Sequence, residues 1–486
     1  MKESWNKKKL SKITTFPVPL SLVDKEKKFN ITTNTQTTTN KPSKEQLINQ
    51  ALNFHSKGNI IEASKYYTYF INQGFKDPRV FSNYGAILKT LGKLEEAEFY
   101  TRRAIKLNPD FAEAHSNLGS TLKDLGKLEE AELSTRKAIT INPDFADAHL
   151  NLGAILQEIG KLEEAELSTR KAIKLNPSSI AKAYINLGNI LSKLDDLHEA
   201  LDCYIKTIEL DKNYPNIYPL ITRFLRNSNP SLFNQTQLKY ILNILLEKND
   251  IIHTELFTAF RFLYARQLES NEEKLVSDFN KIRFLANKKI IINALKKIPF
   301  RDSQMEKDLV KIRKYICNQI AENKVTINRS DLKFTIALGE QCFLNEYIYS
   351  FTKQEKKSIQ KIINRCINGQ INEINIAIIS CYFPLYKLID QIPFLDSFNS
   401  SDKNFKELIK LQILEPLNEI KLSKNIKRLG SINNNISQKV KSQYEENPYP
   451  RWKTENIFKM SKNSAIFLIN NEIKPNLISY NHKSNP

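Results

Sequence analysis

Glycine is scarce and unevenly placed. The 486 residues hold 12 glycines, nine of them between positions 58 and 188, with only Gly339, Gly369 and Gly430 beyond. A phosphate-cradling loop needs glycines where backbone must approach a ligand closely. The C-terminal half therefore offers no nucleotide loop of the G-x-G-x-x-G or Walker type, and no G-x-S-x-G or H-E-x-x-H motif occurs anywhere. Cysteine is sparse as well. Cys203, Cys317, Cys342, Cys366 and Cys381 form no C-x-x-C pair, so no metal site is expected. Each lies in an apolar stretch, which predicts buried, reduced thiols in a cytoplasmic protein. Long hydrophobic runs are missing too. The stretch from Ile374 to Ile389 is interrupted by Asn375, Ser380, Cys381, Pro384 and Lys387, and suits a buried helix better than a membrane span. Met1 to Val23 is basic, then mildly apolar, and is broken by Pro17 and Pro19 with no small-residue cleavage site after them. No signal peptide is expected.

Charge of one sign is in surplus: the formal net charge is +20. Its placement argues against nucleic acid as a partner. The regular region 78–179 is close to neutral, and the excess is scattered through the tail and the Lys-, Ile- and Asn-rich C-terminal half. Histidines form no catalytic set. His115 and His149 stand where large packing residues are wanted, and His55, His198, His253 and His482 have no neighbouring motif. Carboxylate pairs such as Glu129-Glu130 read as a solvated helix face.

What the chain does contain is a unit of about 34 residues repeated in tandem. Residues 127–139 recur letter for letter at 161–173. Gly85, Gly119 and Gly153 are equivalent, and Gly188 follows after one inserted residue. Two positions before each stands an asparagine: Asn83, Asn117, Asn151 and Asn186. Asn49 holds that place in an earlier, degenerate copy. Each copy reads as two helices. In 112–145, Leu118, Leu122 and Leu125 mark the first, Gly126 a tight turn, and Ala131, Leu133, Ala138 and Ile139 the second. Asn142-Pro143 ends the unit, because proline cannot extend a helix. Ser43 with Gln46, Ser303 with Glu306 and Thr352 with Glu355 predict capping boxes.

The pattern His115, Leu118-Gly119, Leu122, Ala131, Thr135, Ala138, Pro143 resembles the tetratricopeptide repeat (TPR). His replaces the usual aromatic residue at 115 and 149, and Thr replaces it at 101, 135 and 169. The resemblance implies an all-α fold: a TPR solenoid, a right-handed superhelix of helix pairs, with five units at 44–77, 78–111, 112–145, 146–179 and 181–214. Helical periodicity with caps continues beyond. The expected organisation is a disordered N-terminal tail 1–43, the repeats 44–214, an all-helical accessory domain 215–432, and a proline/aromatic C-terminal strap and tail 433–486.

A row of carboxamides both donates and accepts hydrogen bonds, and so can grip an extended peptide backbone whatever its sequence. The same side chains can equally bond to a neighbouring helix. The row resembles that of the TPR superhelix in protein O-GlcNAc transferases, whose asparagines hold substrate backbone on the concave face. That resemblance implies peptide contacts for Asn49, Asn83, Asn117, Asn151 and Asn186. The other concave positions, among them Arg79, Ser82, Glu113 and Lys182, lack the arrangement that clamps a C-terminal carboxylate. In the segment 443–452, Tyr444, Tyr449, Arg451 and Trp452 stand among prolines and suggest a docking strap.

That segment, with residues 341–347, 381–385 and 415–417, resembles the region before the catalytic domain of TPR-coupled class I methyltransferases that use S-adenosylmethionine. In that family a strand and a glycine-rich cofactor loop follow. With no glycine after Gly430 and a last residue at Pro486, no cofactor is expected here, and the activity is not expected of this chain alone. The expected function is a non-catalytic scaffold that holds a peptide or partner protein in the TPR groove. The alternatives are the substrate-recruiting part of a truncated or split methyltransferase, with the catalytic domain in trans, and a relative of the O-GlcNAc transferases.

Overall fold

A computed structural model of the chain describes residues 42–176, 180–268, 279–324 and 326–424, and Gln438. Helices dominate, and no strand occurs among the described residues. The chain divides into two compact units, Met1–Tyr214 and Pro215–Pro486.

The first unit is a series of antiparallel helix pairs: α1 (Lys44–Ser56) with α2 (Ile60–Asn72), α3 (Pro78–Thr90) with α4 (Leu94–Leu107), α5 (Ala112–Asp124) with α6 (Leu128–Ile141), α7 (Ala146–Ile159) with α8 (Leu162–Leu175), and α9 (Ile180–Lys193) with α10 (Leu197–Leu210). Ser43 and Gln46 cap α1 reciprocally as expected. Gly126 and Gly160 take φ of +77° and +93° between the helices of their pairs, a region that side-chain-bearing residues rarely adopt. The core runs from pair to pair. Leu118, Leu122 and Ala131 pack with Ile155 of the following pair, and Leu152, Leu156 and Ala165 with Ile190. No pair can bury its own apolar surface alone, which is why the units stack.

The repeat glycines are needed for close approach. A Cβ on Gly119 would lie 2.0 Å from Thr135 Oγ1, and one on Gly153 would lie 2.1 Å from Thr169 Oγ1. The threonines that replace the usual aromatic are fully buried, yet their hydroxyls are satisfied: Thr135 Oγ1 donates to Ala131 O at 2.8 Å and Thr169 Oγ1 to Ala165 O at 2.8 Å. In the last pair an aromatic returns, with Tyr204 against Gly188 and its hydroxyl donating to Asn189 Oδ1 at 2.9 Å. A ladder of ion pairs joins successive second helices: Arg102 to Glu130 at 2.7 Å, Arg136 to Glu164 at 2.6 Å, and Arg170 to Glu199 at 2.6 Å. Exposed pairs contribute little stability individually; repeated at one offset, they hold register. One expectation fails. Leu133 does not join the core but is 71 % exposed, because Ala131, Thr135 and Ala138 are the residues of α6 that turn inward.

In the second unit the helix Arg329–Leu344 is buried along nearly its whole length, from Asp331 to Leu344. It packs against the helices Phe279–Ala286, Lys289–Lys297, Glu373–Ile379 and Lys403–Ile409. A helix covered on all sides belongs inside a core, and its polar residues are paired there. Glu340 meets Lys296 at 3.2 Å, and Asp331 meets Arg283 at 3.2 Å. The Gln341 amide donates to Leu295 O at 2.7 Å and Ile298 O at 2.9 Å and accepts from Phe300 N at 2.9 Å. Two local expectations need correction. The helix predicted from Ser303 is capped by Asp302, whose carboxylate accepts from Gln304 N and Met305 N, so Ser303 is its first residue. The stretch 374–389 is not one helix: Glu373–Ile379 ends in a turn, because Pro384 cannot supply a helical N–H, and a short 3₁₀ turn Leu385–Leu388 follows. Thr352 and Glu355 do form their capping box. No described helix is long and apolar enough to cross a membrane.

All five cysteines are buried. Burial pushes the thiols of Cys203 and Cys317 up to about 12 and that of Cys366 up to about 11. Titration of the native chain with an aromatic disulfide reagent should find the thiols unreactive over minutes, and all five should react after denaturation. Rapid reaction of several in the native state would contradict this packing.

Candidate functional site

The repeat places Asn83, Asn117, Asn151 and Asn186 at one position on α3, α5, α7 and α9, and these first helices pack in sequence. Asn49 sits on α1 and is exposed. Asn83 is buried, while Asn117, Asn151 and Asn186 are half-buried. Two of the carboxamides are tied to the preceding repeat: Asn117 Nδ2 donates to Ser82 Oγ at 3.0 Å, and Asn151 Nδ2 donates to Ser116 Oγ at 3.0 Å. The Asn117 and Asn151 carbonyl oxygens of the side chains carry no hydrogen bond from described residues.

Periodicity does not single out the serines as partners, although the sequence carries the signal. Ser82 and Ser116 immediately precede an asparagine, one repeat back from the carboxamide they accept. The equivalent residue for Asn186 is Leu150, and for Asn83 it is Ile48. Neither has a hydroxyl, so the ladder is confined to the central repeats.

Charged residues along the same row sense one another across several repeats. Lys89 reaches Ser120 at 2.6 Å and Asp124 at 3.3 Å, and Lys123 reaches Glu158 at 3.0 Å. Burial raises the Asp147 carboxyl above its ordinary value, against the pull of Lys182. The Lys182 ammonium is lowered by desolvation and then by the like charge of Lys89. Charged groups on α3, α5 and α7 thus lie along one face of the repeats, where Lys89 pairs with Asp124 and Lys123 with Glu158 across neighbouring units.

His115 and His149 prove to be packing residues. His115 Nε2 lies 2.9 Å from Pro109 O, and His149 Nε2 lies 3.0 Å from Pro143 O, so each bridges its helix to the preceding turn. Among the described residues no group of His, Cys, Asp and Glu is placed to hold a metal ion.

In the second unit, two of the singled-out segments meet around Gln412, which lies in a π-helical turn Lys410–Leu414 just before Glu415. Gln412 Nε2 donates to Gly339 O at 2.9 Å, and its Oε1 accepts from Tyr347 Oη at 3.1 Å and from Leu385 N at 3.4 Å. Tyr347 Oη also contacts Ser380 O at 3.2 Å. This knot joins residues of 341–347 and 381–385 within the core, where Gln412 is fully buried. Tyr444, Tyr449, Arg451 and Trp452 lie outside the described residues.

The tetratricopeptide repeat family matches the chain at 78–111, 100–132, 146–179 and 181–214, and a further TPR repeat match covers 119–160. No curated protein sequence matches. Solved structures similar to the chain include MamA from Desulfovibrio magneticus RS-1, with 23 % identity over 35 % of this chain and 97 % of that one, at a TM-score of 0.30. A thermophilic TPR protein of Thermus thermophilus, TTC0263, is 18 % identical over 37 % of this chain and 97 % of its own, at 0.33. YrrB, described as a TPR protein with an unusual peptide-binding site, is 19 % identical over 36 % and 90 %, at 0.29. Helix pairing, glycine contacts and family matches agree on one conclusion: residues 78–214 are a run of tetratricopeptide repeats.

Proposed function

We propose that the chain is a non-catalytic scaffold that holds an extended peptide, or an extended segment of a partner protein, along its first helices. The observation that carries this reading is the pair of bonds Asn117 to Ser82 and Asn151 to Ser116. Each bond fixes a carboxamide in one orientation and leaves its Oδ1 and second N–H for a ligand. Two such groups one repeat apart match the recurring N–H and C=O groups of an extended backbone. Preorganised donors lose less entropy on binding than mobile ones. Asn186 and the exposed Asn49 of α1 extend the row toward its ends, and the buried Asn83 lies between Asn49 and Asn117. The helix pair α1/α2 serves as the first repeat, and the unit from Pro215 as an accessory domain. Five buried thiols fit a reducing compartment such as the cytoplasm.

The test is binding to an immobilised peptide array, followed by fluorescence anisotropy on a retained peptide. Asn117→Ala with Asn151→Ala should weaken binding by about tenfold or more, from the loss of two to four neutral hydrogen bonds. Ser82→Ala with Ser116→Ala should weaken it less, by loosening the carboxamides. Unchanged affinity in the asparagine double variant rejects the groove.

A second reading is that the chain recruits substrate for a methyltransferase domain in trans. It is favoured by the meeting of 341–347 and 381–385 at Gln412, which makes these segments parts of one packed core. Mixing the chain with a candidate catalytic partner that carries a strand and a glycine-rich loop should then raise methyl transfer from S-adenosylmethionine to a bound peptide. No change in transfer rejects it. The O-glycosyltransferase alternative would require sugar-nucleotide binding, for which no residue here argues.

A further inference from the structure

A different face of the repeats carries an apolar stripe that the fold does not use. Phe99, Leu133 and Leu167 occupy one position on α4, α6 and α8 and are 56 %, 71 % and 70 % exposed. Beside Leu133 and Leu167 lie open grooves at the same place in successive repeats, and a third follows. The first, of about 500 Å³, is floored by Ile105, Leu118 and Leu122 and walled by Leu133. The second, of about 460 Å³, is formed by Ile139, Leu152, Leu156 and Leu167. The third, of about 440 Å³, keeps Ile173 and Leu187 but has Asp202 where the others have leucine. The stripe thus ends in charge. Single exposed leucines are ordinary, but a row of them along grooves marks an interaction surface.

The polar rim identifies the partner. Arg102, Arg136 and Arg170 stand in the grooves but are each occupied by a carboxylate of the next repeat. Lys106 and Lys137 in the first groove, Lys171 in the second and Lys174 in the third have no carboxylate partner among the described residues. In the first two grooves the free charge is therefore of one sign around an apolar floor. A second copy of the same face would set lysine against lysine, at a cost in like-charge contact. Nucleic acid would find the guanidinium groups engaged and, apart from the imidazoles of His115 and His149, no aromatic ring in the first two grooves, since Phe99 and Tyr184 stand at the two ends of the stripe. Both imidazoles are already bonded to proline carbonyls.

We propose that this second-helix face docks an acidic peptide segment of a partner protein. Its bulky aliphatic side chains fill successive grooves, and its carboxylates pair with Lys106, Lys137, Lys171 and Lys174. The site is separate from the asparagine row and does not depend on it.

The experiment uses the full chain and a fluorescein-labelled peptide with leucines spaced through an Asp- and Glu-rich background. Anisotropy should show binding that weakens with added salt. Leu133→Glu with Leu167→Glu should reduce affinity by more than about tenfold, since each leucine loses apolar burial and gains a like charge facing the ligand. Lys137→Glu with Lys171→Glu should do the same. The same measurements in an Asn117→Ala/Asn151→Ala background remove any contribution of the asparagine row, and the leucine and lysine effects should persist there, so the two surfaces fail or succeed separately. The substituted leucines and lysines are at the surface, and an unchanged melting temperature checks that the repeats remain folded. The proposal is overturned by absence of binding, by equal binding of a lysine-substituted peptide, by indifference to Leu133→Glu/Leu167→Glu, or by disappearance of the leucine and lysine effects in the asparagine-variant background.

Discussion

Replacing Arg313 with methionine should destabilise the second unit by about 3–5 kcal/mol, the usual range for stranding one member of a buried ion pair. Arg313 is 1 % exposed and sits on the helix Ser303–Ala321. Its guanidinium donates to Ser350 O at 2.7 Å and Tyr349 O at 3.4 Å, and lies 3.5 Å from Glu355 Oε1. It also stacks 4.4 Å from the centre of the Tyr382 ring, whose hydroxyl donates to the same Glu355 oxygen at 3.1 Å. Glu355, itself 1 % exposed, caps the helix Lys353–Ile367 through Thr352. One cation therefore ties a helix, a loop and a helix start into one charged knot. Methionine fills the space but leaves the Glu355 carboxylate and the Tyr349 carbonyl buried without their cation. Urea unfolding followed by circular dichroism, with hydrogen exchange on the helix Ser303–Ala321, measures the loss. Adding Glu355→Gln to Arg313→Met should restore a substantial part of the stability. A single-variant loss under about 1 kcal/mol would show that the carboxylate is relieved in some other way.

The second large effect lies in the repeats. Gly119→Ala should destabilise the first unit by about 1–3 kcal/mol through overpacking. The new methyl would stand 2.0 Å from Thr135 Oγ1 and 3.1 Å from Ala131 O. Thr135 is fully buried and its hydroxyl is already bonded to Ala131 O, so it has nowhere to turn. The helices must part instead, and the core shared with Ile155 opens with them. Adding Thr135→Ala removes the nearest atom and should recover part of the loss, because the two sites are in contact and their effects are not additive. Thermal unfolding of the single and double variants provides the cycle. A Gly119→Ala chain as stable as the parent would mean that α5 and α6 pack more loosely than the contacts indicate.

Legibility differs sharply between the two units. In the repeats, Gly119, Ala131 and Ala138 report close helix contact directly, since only small residues fit there, and a stacked array uses the same solution at every copy. Leu133 departs from its expected place because periodicity alone cannot tell an apolar residue that faces the core from one at the edge of the same stripe. Asn117 is legible as a position on a shared surface. Its bond to Ser82 is not, because it joins residues 35 apart and depends on how one repeat rests on the next. In the second unit the caps at Thr352 and Asp302 are local. Even there the sequence reading is one residue off, since Asp302 and Ser303 are both good N-caps and the tertiary contact to Arg261 at 2.6 Å favours the aspartate.

The sequence by itself determined the all-helical class, the helix pairs and their order, and the row of asparagines. Each of these follows from short-range periodicity and from the steric limits of glycine, alanine and proline. Only the tertiary structure decided which asparagines are held by serines, which leucines are left outside the core, and how Arg313, Glu355 and Tyr382 or Gln412 and Tyr347 find one another. Those outcomes rest on contacts between residues far apart in the chain, whose strength comes from burial and from distances that no local pattern encodes.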